Sequence, residues 1–103
     1  MKHFLIKYHF KNGPPEAWRQ EIVRFISALE NDPDLSGKLS YRVMKERGGS
    51  GYFHLAGVAD DATVSALGGK DFFKRYTEET KRVAGGEVEV LPLEIVAETA
   101  HRA

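Results

Sequence analysis

The amino-acid sequence predicts a two-layer α+β fold, in which a four-stranded antiparallel sheet carries its helices on one face. Three observations support this: the chain has 103 residues, strand and helix patterns alternate along it, and two helices can cover only one face of a sheet. The patterns follow the order strand, helix, strand, strand, helix, strand. A right-handed crossover leaves room for the third strand between the first two, which predicts the ferredoxin-like βαββαβ fold with strand order 4-1-3-2.

The first strand and the first helix have clear periodic patterns. Residues 3–11 alternate with a period of two, which is typical of a strand. One side of this strand is wholly apolar: Phe4, Ile6, Tyr8 and Phe10. From Pro15 to Glu30 the apolar residues have helical spacing, and a proline at the first helical position suits a helix N-terminus. The members of this stripe are Trp18, Ile22, Phe25, Ile26 and Leu29.

The middle of the chain predicts a hairpin followed by an interrupted helix. The second and third strands are expected over residues 39–46 and 52–59, joined by a glycine-rich loop. The second helix is expected over residues 62–67 and again over 71–83, because Gly68 and its neighbouring glycine disturb it between these ranges.

The fourth strand is predicted over residues 87–98, where Pro92 should lie at a bulge or at a sheet edge because it has no N–H to donate. Both sheet faces are expected to carry apolar residues, since the other side of the first strand still has Leu5. Two copies packed through these faces would bury them, so we predict a homodimer. The alternative is that the C-terminal segment covers the open face; His101 is expected to lie in a frayed tail.

Composition narrows the classes of function. The chain has 15 Lys and Arg against 15 Asp and Glu, so its zero net charge argues against nucleic acid as a partner. The absence of cysteine excludes disulfides, thiolate catalysis and iron–sulfur sites. The longest apolar runs have three residues, and Lys7 and His9 interrupt the apolar N-terminus, so neither a membrane span nor a signal peptide is expected. We expect a single cytoplasmic domain over residues 1–103 with no membrane partner.

Three stretches resemble the dimeric α/β-barrel superfamily, and most closely proteins of the antibiotic-biosynthesis-monooxygenase type. They are LSGKLSYRV at 35–43, YFHLAGVADDATVSAL at 52–67, and GGKDFFKRYTEETKRV at 68–83 followed by EVEVLPLEIV. The resemblance implies a ligand cavity between the sheet and the helices of each subunit. It also implies a range of activities, among them cofactor-independent oxygenases of aromatic polyketides, haem-degrading enzymes, isomerases and stress-induced proteins, so the fold alone does not establish one.

The residues of the superfamily's branches differ from those of this chain. The haem-degrading branch uses an Asn on the first strand and a Trp and a His on the second helix. Here Asn12 lies beyond the first strand and the second helix has neither residue, so haem degradation is rejected. The monooxygenase branch often has a Trp at the end of the third strand and a His before the helix kink, where this chain has Ala59 and Leu67.

Two strand histidines are the candidates for catalysis. If residue 3 pairs near residue 59, His9 falls opposite His54 on one face, where two imidazoles can act as a general base or bind a metal. A slip of one residue would place His54 opposite an aromatic residue instead. No third ligand has recognisable spacing, so no metal is predicted. The alternative is that both are structural histidines of the sheet.

Five side chains are candidates for substrate binding: Trp18, Tyr41, Arg42, Tyr52 and Tyr76. Trp18 would either stack on a flat aromatic substrate or anchor the core. The tyrosines offer hydroxyls to a phenolic compound, or are packing residues with a solvated hydroxyl. Arg42 would hold a carboxylate or enolate if it faces the cavity, and is otherwise a solvated residue of an edge strand.

Three functions compete at this point. The first is a cofactor-independent monooxygenase-like or isomerase-like enzyme for a small hydrophobic or aromatic compound, in which a histidine removes a proton and the carbanion reacts directly with oxygen. The second is a non-catalytic small-molecule-binding or stress-related dimer, which the differences at the branch positions favour. The third is an RNA-binding module with the same element order, which lacks the basic charge and the first-strand motif of such modules.

Overall fold

The computed structural model describes residues 1–100, in which seven elements follow one another in the predicted order. The strands are β1 (Lys2–His9), β2 (Leu39–Lys45), β3 (Gly51–Val58) and β4 (Glu89–Leu93). The helices are α1 (Pro15–Asn31), α2 (Asp61–Gly68) and α3 (Asp71–Val83). His101 lies outside the described residues. No helix of the described part is long and apolar enough to cross a membrane.

The four strands form one sheet in the order β2-β3-β1-β4, and every neighbouring pair is antiparallel. This is the predicted order, read from the other edge. β1 lies in the interior of the sheet, where Ile6 pairs with His54 of β3 and Leu5 pairs with Leu91 of β4. The predicted ferredoxin-like α+β fold class is therefore confirmed.

β4 is shorter than the predicted strand over residues 87–98. Leu93 pairs with His3, so β1 has almost no backbone left to pair with the residues that follow. Residues 94–100 accordingly have no regular structure and are exposed, although their apolar content is typical of a strand. Pro92 lies opposite Phe4 on this edge strand, as its missing N–H predicts.

The predicted interruption of the second helix is confirmed as a break between α2 and α3. α2 begins at a true N-cap, because the Asp60 carboxylate accepts hydrogen bonds from the Thr63 N–H at 2.8 Å and the Thr63 hydroxyl at 2.7 Å. Lys70 lies at the break and donates to the Asp34 carboxylate at 2.7 Å, which ties the break to the segment that follows α1.

The core lies between the helices and one face of the sheet. The even-numbered residues of β1 and β3 point to this side, as the positions of Tyr8 and His54 show. The predicted stripe of α1 packs on them and buries four side chains: Trp18, Ile22, Phe25 and Leu29. The Phe25 ring lies parallel to the Tyr76 ring of α3 at a centroid distance of 3.8 Å, so the two long helices meet through aromatic contacts.

We expect Leu29→Ala to lower the free energy of unfolding by about 3 kcal/mol, because it removes apolar contacts and leaves a cavity in the core. Leu29 is 4% exposed, whereas Val23 of the same helix is 52% exposed. The control Val23→Ala should therefore change the free energy by less than about 0.5 kcal/mol. Urea denaturation followed by circular dichroism measures both, and equal effects would contradict this assignment of the core face.

Candidate functional site

A cavity of about 370 Å³ lies between the sheet and the helices α2 and α3. Its lining is almost wholly apolar, with residues such as Ile6 and Ala56 from the sheet and Val64 and Leu67 from α2. A larger depression of about 520 Å³ lies on the other face of the sheet, but it is open and several charged side chains line it. The apolar cavity is therefore the place where a small hydrophobic molecule would leave water.

His54 lies in the wall of this cavity and is fully buried. Both of its ring nitrogens contact tyrosine hydroxyls. Nε2 lies 2.7 Å from Tyr8 Oη, and Nδ1 lies 2.5 Å from Tyr41 Oη and 3.1 Å from Tyr76 Oη. Trp18 Nε1 donates to Tyr8 Oη at 2.9 Å. Five side chains from β1, α1, β2, β3 and α3 thus form one hydrogen-bonded cluster, which we call the His54 cluster.

The strand register explains why these groups meet. Tyr8 and His54 both occupy even positions, which face the helices, and they lie on a diagonal because Tyr8 pairs with Tyr52. Tyr41 comes to the same side because it pairs with Ala56, two residues beyond His54. α3 packs over the sheet through its buried residues, and this places the Tyr76 hydroxyl 3.1 Å from His54 Nδ1.

Burial controls the charge of the cluster. It lowers the pKa of His54 to about 4, because the low-dielectric surroundings disfavour the imidazolium. Burial also raises the pKa values of Tyr8, Tyr41 and Tyr76 well above that of a free phenol. At neutral pH the cluster therefore consists of a neutral imidazole and protonated phenols, which can exchange hydrogen bonds without holding a net charge.

The predicted pairing of His9 with His54 is wrong. His9 pairs with Gly51 and lies on the opposite sheet face, where its Nδ1 is 3.0 Å from Ser50 Oγ and the side chain is exposed. The alternative with an aromatic residue opposite His54 is also wrong, because Ile6 occupies that position. The observed register stacks Tyr8 on Tyr52 at a centroid distance of 5.5 Å.

The structure divides the five predicted substrate-binding residues into two groups. Tyr41 and Tyr76 line the cavity beside His54. Trp18 is only 2% exposed and stacks on Tyr76 at 5.7 Å, behind the cavity wall rather than in it. Tyr52 packs on Tyr8 and likewise does not line the cavity, and Arg42 is exposed opposite Leu55 on the other face of the sheet.

Tyr8 is the one residue of the His54 cluster that was not predicted as a site residue. Its sequence pattern marks it only as a member of the apolar side of the first strand, because its contact with a buried histidine depends on the strand register. Within residues 1–100, no group of three or more His, Asp or Glu side chains is arranged to hold a metal ion.

The chain matches no family model and no curated protein, but it is similar to several solved structures. A mutant of SnoaB, a cofactor-independent oxygenase from Streptomyces nogalater, superposes with a TM-score of 0.75 at 12% identity, over 97% of this chain and 98% of that one. A Caulobacter crescentus protein with a provisional assignment as an antibiotic biosynthesis monooxygenase gives a TM-score of 0.75 at 16% identity, over 93% and 90%.

A conserved protein from Methanosarcina mazei gives a TM-score of 0.74 at 15% identity, over 89% of each chain. These TM-scores establish a shared fold, whereas the low identities leave the activity open. The chain has the fold of proteins of the antibiotic-biosynthesis-monooxygenase type, and the resemblance inferred from the sequence is confirmed at that level.

The low pKa of His54 predicts how stability depends on pH. Between pH 6.5 and about 4 the unfolded chain binds a proton at this histidine and the folded chain does not, so stability should fall as the pH falls, by up to about 1.4 kcal/mol per pH unit. His54→Gln should lose this part of the slope, whereas the exposed control His9→Gln should keep it. Urea denaturation at several pH values measures the slope, and an NMR titration in which the His54 ring protonates near pH 6.5 would contradict the prediction.

Proposed function

We propose that this chain is a homodimer that binds a small hydrophobic or aromatic compound in the apolar cavity and acts on it as a cofactor-independent monooxygenase-like or isomerase-like enzyme. The observation that supports this most is that the hydrogen-bonded residues Tyr41, His54 and Tyr76 lie together in the lining of a largely apolar cavity. An apolar ligand can enter such a cavity in several orientations, but one polar spot selects the orientation that satisfies it.

The chemistry that suits this wall is stabilisation of an enolate. A phenol of Tyr41 or Tyr76 donates a hydrogen bond to a carbonyl oxygen of the ligand, and the bond strengthens as the neighbouring C–H ionises and charge develops on that oxygen. The proton leaves to water at the mouth, where the exposed Lys81 lines the cavity. Return of a proton to a different carbon isomerises the ligand.

The same enolate can react with dioxygen without a cofactor. Electron transfer from the carbanion to O₂ and C–O bond formation give a peroxide anion, which takes up a proton from water to form a hydroperoxide. Loss of water from the hydroperoxide converts the original CH₂ into C=O. The overall change is CH₂ + O₂ → C=O + H₂O, so the ligand supplies the electrons and no other reductant is needed.

A second candidate function is binding without turnover. Both nitrogens of His54 are held by tyrosine hydroxyls, and burial lowers its pKa to about 4, so the imidazole is a weak base. These features suit a pocket that holds a small molecule unchanged, as in the non-catalytic alternative.

Turnover distinguishes the two candidates. We expect the protein to accelerate both deuterium exchange at the benzylic carbon of 2-tetralone, followed by NMR in D₂O, and its oxygen uptake, followed with an electrode. Tyr76→Phe should reduce these rates about tenfold by removing a donor to the enolate, whereas Tyr52→Phe, outside the cavity, should not. Binding of 2-tetralone without exchange or oxygen uptake would favour the second candidate.

Binding in the cavity can be tested independently of turnover. N-phenyl-1-naphthylamine, whose fluorescence rises in apolar surroundings, should bind the protein. Ala56→Leu should weaken this binding at least about tenfold, because Ala56 lies in the cavity wall and the added atoms occupy ligand space. The control Ala62→Leu changes an exposed alanine of α2 and should leave the dissociation constant unaltered. Equal affinities of the two variants for the probe would show that the probe binds outside this cavity.

The homodimer is proposed through the open face of the sheet. Six apolar side chains lie on this face: Leu5, Met44, Phe53, Leu55, Leu91 and Leu93. Met44, Leu91 and Leu93 are 42%, 38% and 40% exposed, so nothing in the described part of the chain covers them. The alternative cover, the C-terminal segment, is itself exposed over residues 94–100, with Val96 at 96%. A second copy presents the same apolar surface and would bury both.

Leu55→Lys should convert the dimer into a monomer, because Leu55 lies on an interior strand of this face and a buried, unpaired ammonium is costly. Val23→Lys is the matched control, since it places the same charge on an exposed position of α1. Sedimentation velocity and native mass spectrometry measure the mass. A wild-type protein that is monomeric at micromolar concentration would contradict the proposed dimer. A dimer in both variants would show that the dimer interface does not include Leu55.

A further inference from the structure

The hydrogen bond between Trp18 and Tyr8 restricts what His54 can do. An indole N–H can only donate, and the Trp18 N–H donates to Tyr8 Oη at 2.9 Å. Tyr8 is 5% exposed and does not line the cavity. Among the described residues, its hydroxyl has one other partner, His54 Nε2 at 2.7 Å. The proton of the Tyr8 hydroxyl therefore has a single acceptor, which is that nitrogen.

The two neutral tautomers of His54 differ in what happens to this proton. If Nδ1 carries the hydrogen, Nε2 is an acceptor and the Tyr8 hydroxyl donates to it. If Nε2 carries the hydrogen, Trp18 and His54 both donate to the Tyr8 oxygen, and the Tyr8 proton is left buried without an acceptor. An unsatisfied donor enclosed at Tyr8 costs free energy, and the first arrangement moves the unpaired hydrogen to the side of the imidazole that lines the cavity.

In the Nδ1–H tautomer the Nδ1 side of the imidazole has three polar hydrogens, those of Nδ1 and of the Tyr41 and Tyr76 hydroxyls. One of the three has no acceptor within the cluster. Nδ1–H donates to Tyr41 Oη at 2.5 Å, and the Tyr41 and Tyr76 hydroxyls are 3.4 Å apart. These two hydroxyls can satisfy only one of their own protons between them, since Nδ1 no longer accepts. Both tyrosines line the cavity and Tyr8 does not, so the remaining phenol O–H lies on the cavity side of the imidazole.

We propose that Trp18 and Tyr8 hold His54 as its Nδ1–H tautomer, so that the cavity wall donates one phenol O–H and the cavity selects apolar compounds with a carbonyl, quinone or enolate oxygen that accepts it. Trp18, Tyr8 and His54 are positioning residues in this arrangement, and the Tyr41–Tyr76 pair touches the ligand. The ligand part of the inference rests on the proposed function, whereas the tautomer does not depend on it.

This arrangement favours a ligand that presents an acceptor over a ligand of similar shape that presents a donor. A carbonyl oxygen accepts the free O–H, whereas an N–H group in the same place can only donate and leaves that O–H without an acceptor. The rest of the lining is apolar apart from Thr77, Thr80 and Lys81 of α3, of which Lys81 is exposed and the Thr80 hydroxyl donates to the Tyr76 carbonyl at 2.8 Å.

The tautomer is measured directly by long-range ¹H–¹⁵N NMR of the histidine rings, with the His54 signals assigned by their loss in His54→Gln. In the wild type we expect a protonated Nδ1 and a pyridine-like Nε2. Tyr8→Phe should increase the Nε2–H population, because the donor to Nε2 is gone, while Tyr52→Phe leaves the tautomer unchanged. A change of packing alone would not move a proton between the two nitrogens, and an Nε2–H form in the wild type overturns the proposal.

The ligand preference is tested with 9-fluorenone, carbazole and fluorene, which have nearly the same shape and present an acceptor, a donor and neither. Isothermal titration should show fluorenone binding about tenfold more tightly than carbazole. Tyr76→Phe or Tyr41→Phe should reduce this difference, and Tyr52→Phe should preserve it; thermal melting checks that each variant is folded. Carbazole binding as tightly as fluorenone overturns the preference. If none of the three binds, the proposed function fails, and the tautomer spectrum still decides the first part of the proposal.

Discussion

The burial of His54 is the constraint on which the rest of the site depends. A fully buried imidazole has two nitrogens that need partners, and the chain supplies them as phenols from three different elements. Those partners fix how α3 lies over the sheet and, through the indole of Trp18, how α1 lies beside it. The aromatic rings that carry the hydroxyls also form much of the core, so one set of side chains both packs the helices and shapes the cavity wall.

The fold could be predicted because its signals are local. Period-two strands, an apolar helical stripe and a glycine break each depend on a few neighbouring residues, and together they allow few topologies. The length of β4 could not be predicted in this way, because it depends on how far β1 extends beside it. Residues 94–100 have the composition of a strand but lack a partner in the described chain.

The site could be predicted in part. Tyr41, His54 and Tyr76 were selectable as polar groups within apolar patterns, but which of them meet depends on the register between β1 and β3. That register differs from the assumed one, so His9 lies on the other face and Tyr8 takes the place beside His54. A change of one residue in register exchanges the two faces of a strand, and no local pattern distinguishes such alternatives when both faces carry apolar residues.

The break between α2 and α3 makes them separate helices, and each contributes different groups to the cavity. α2 is eight residues long and contributes apolar wall, while α3 carries the tyrosine that reaches the imidazole. Lys70 anchors the break to Asp32 and Asp34 from outside the cavity. The size of the cavity and its polar contacts thus depend on different segments. Substitutions at Val64 and Leu67 of α2 would change the volume of the cavity and leave the hydrogen bonds of the His54 cluster in place.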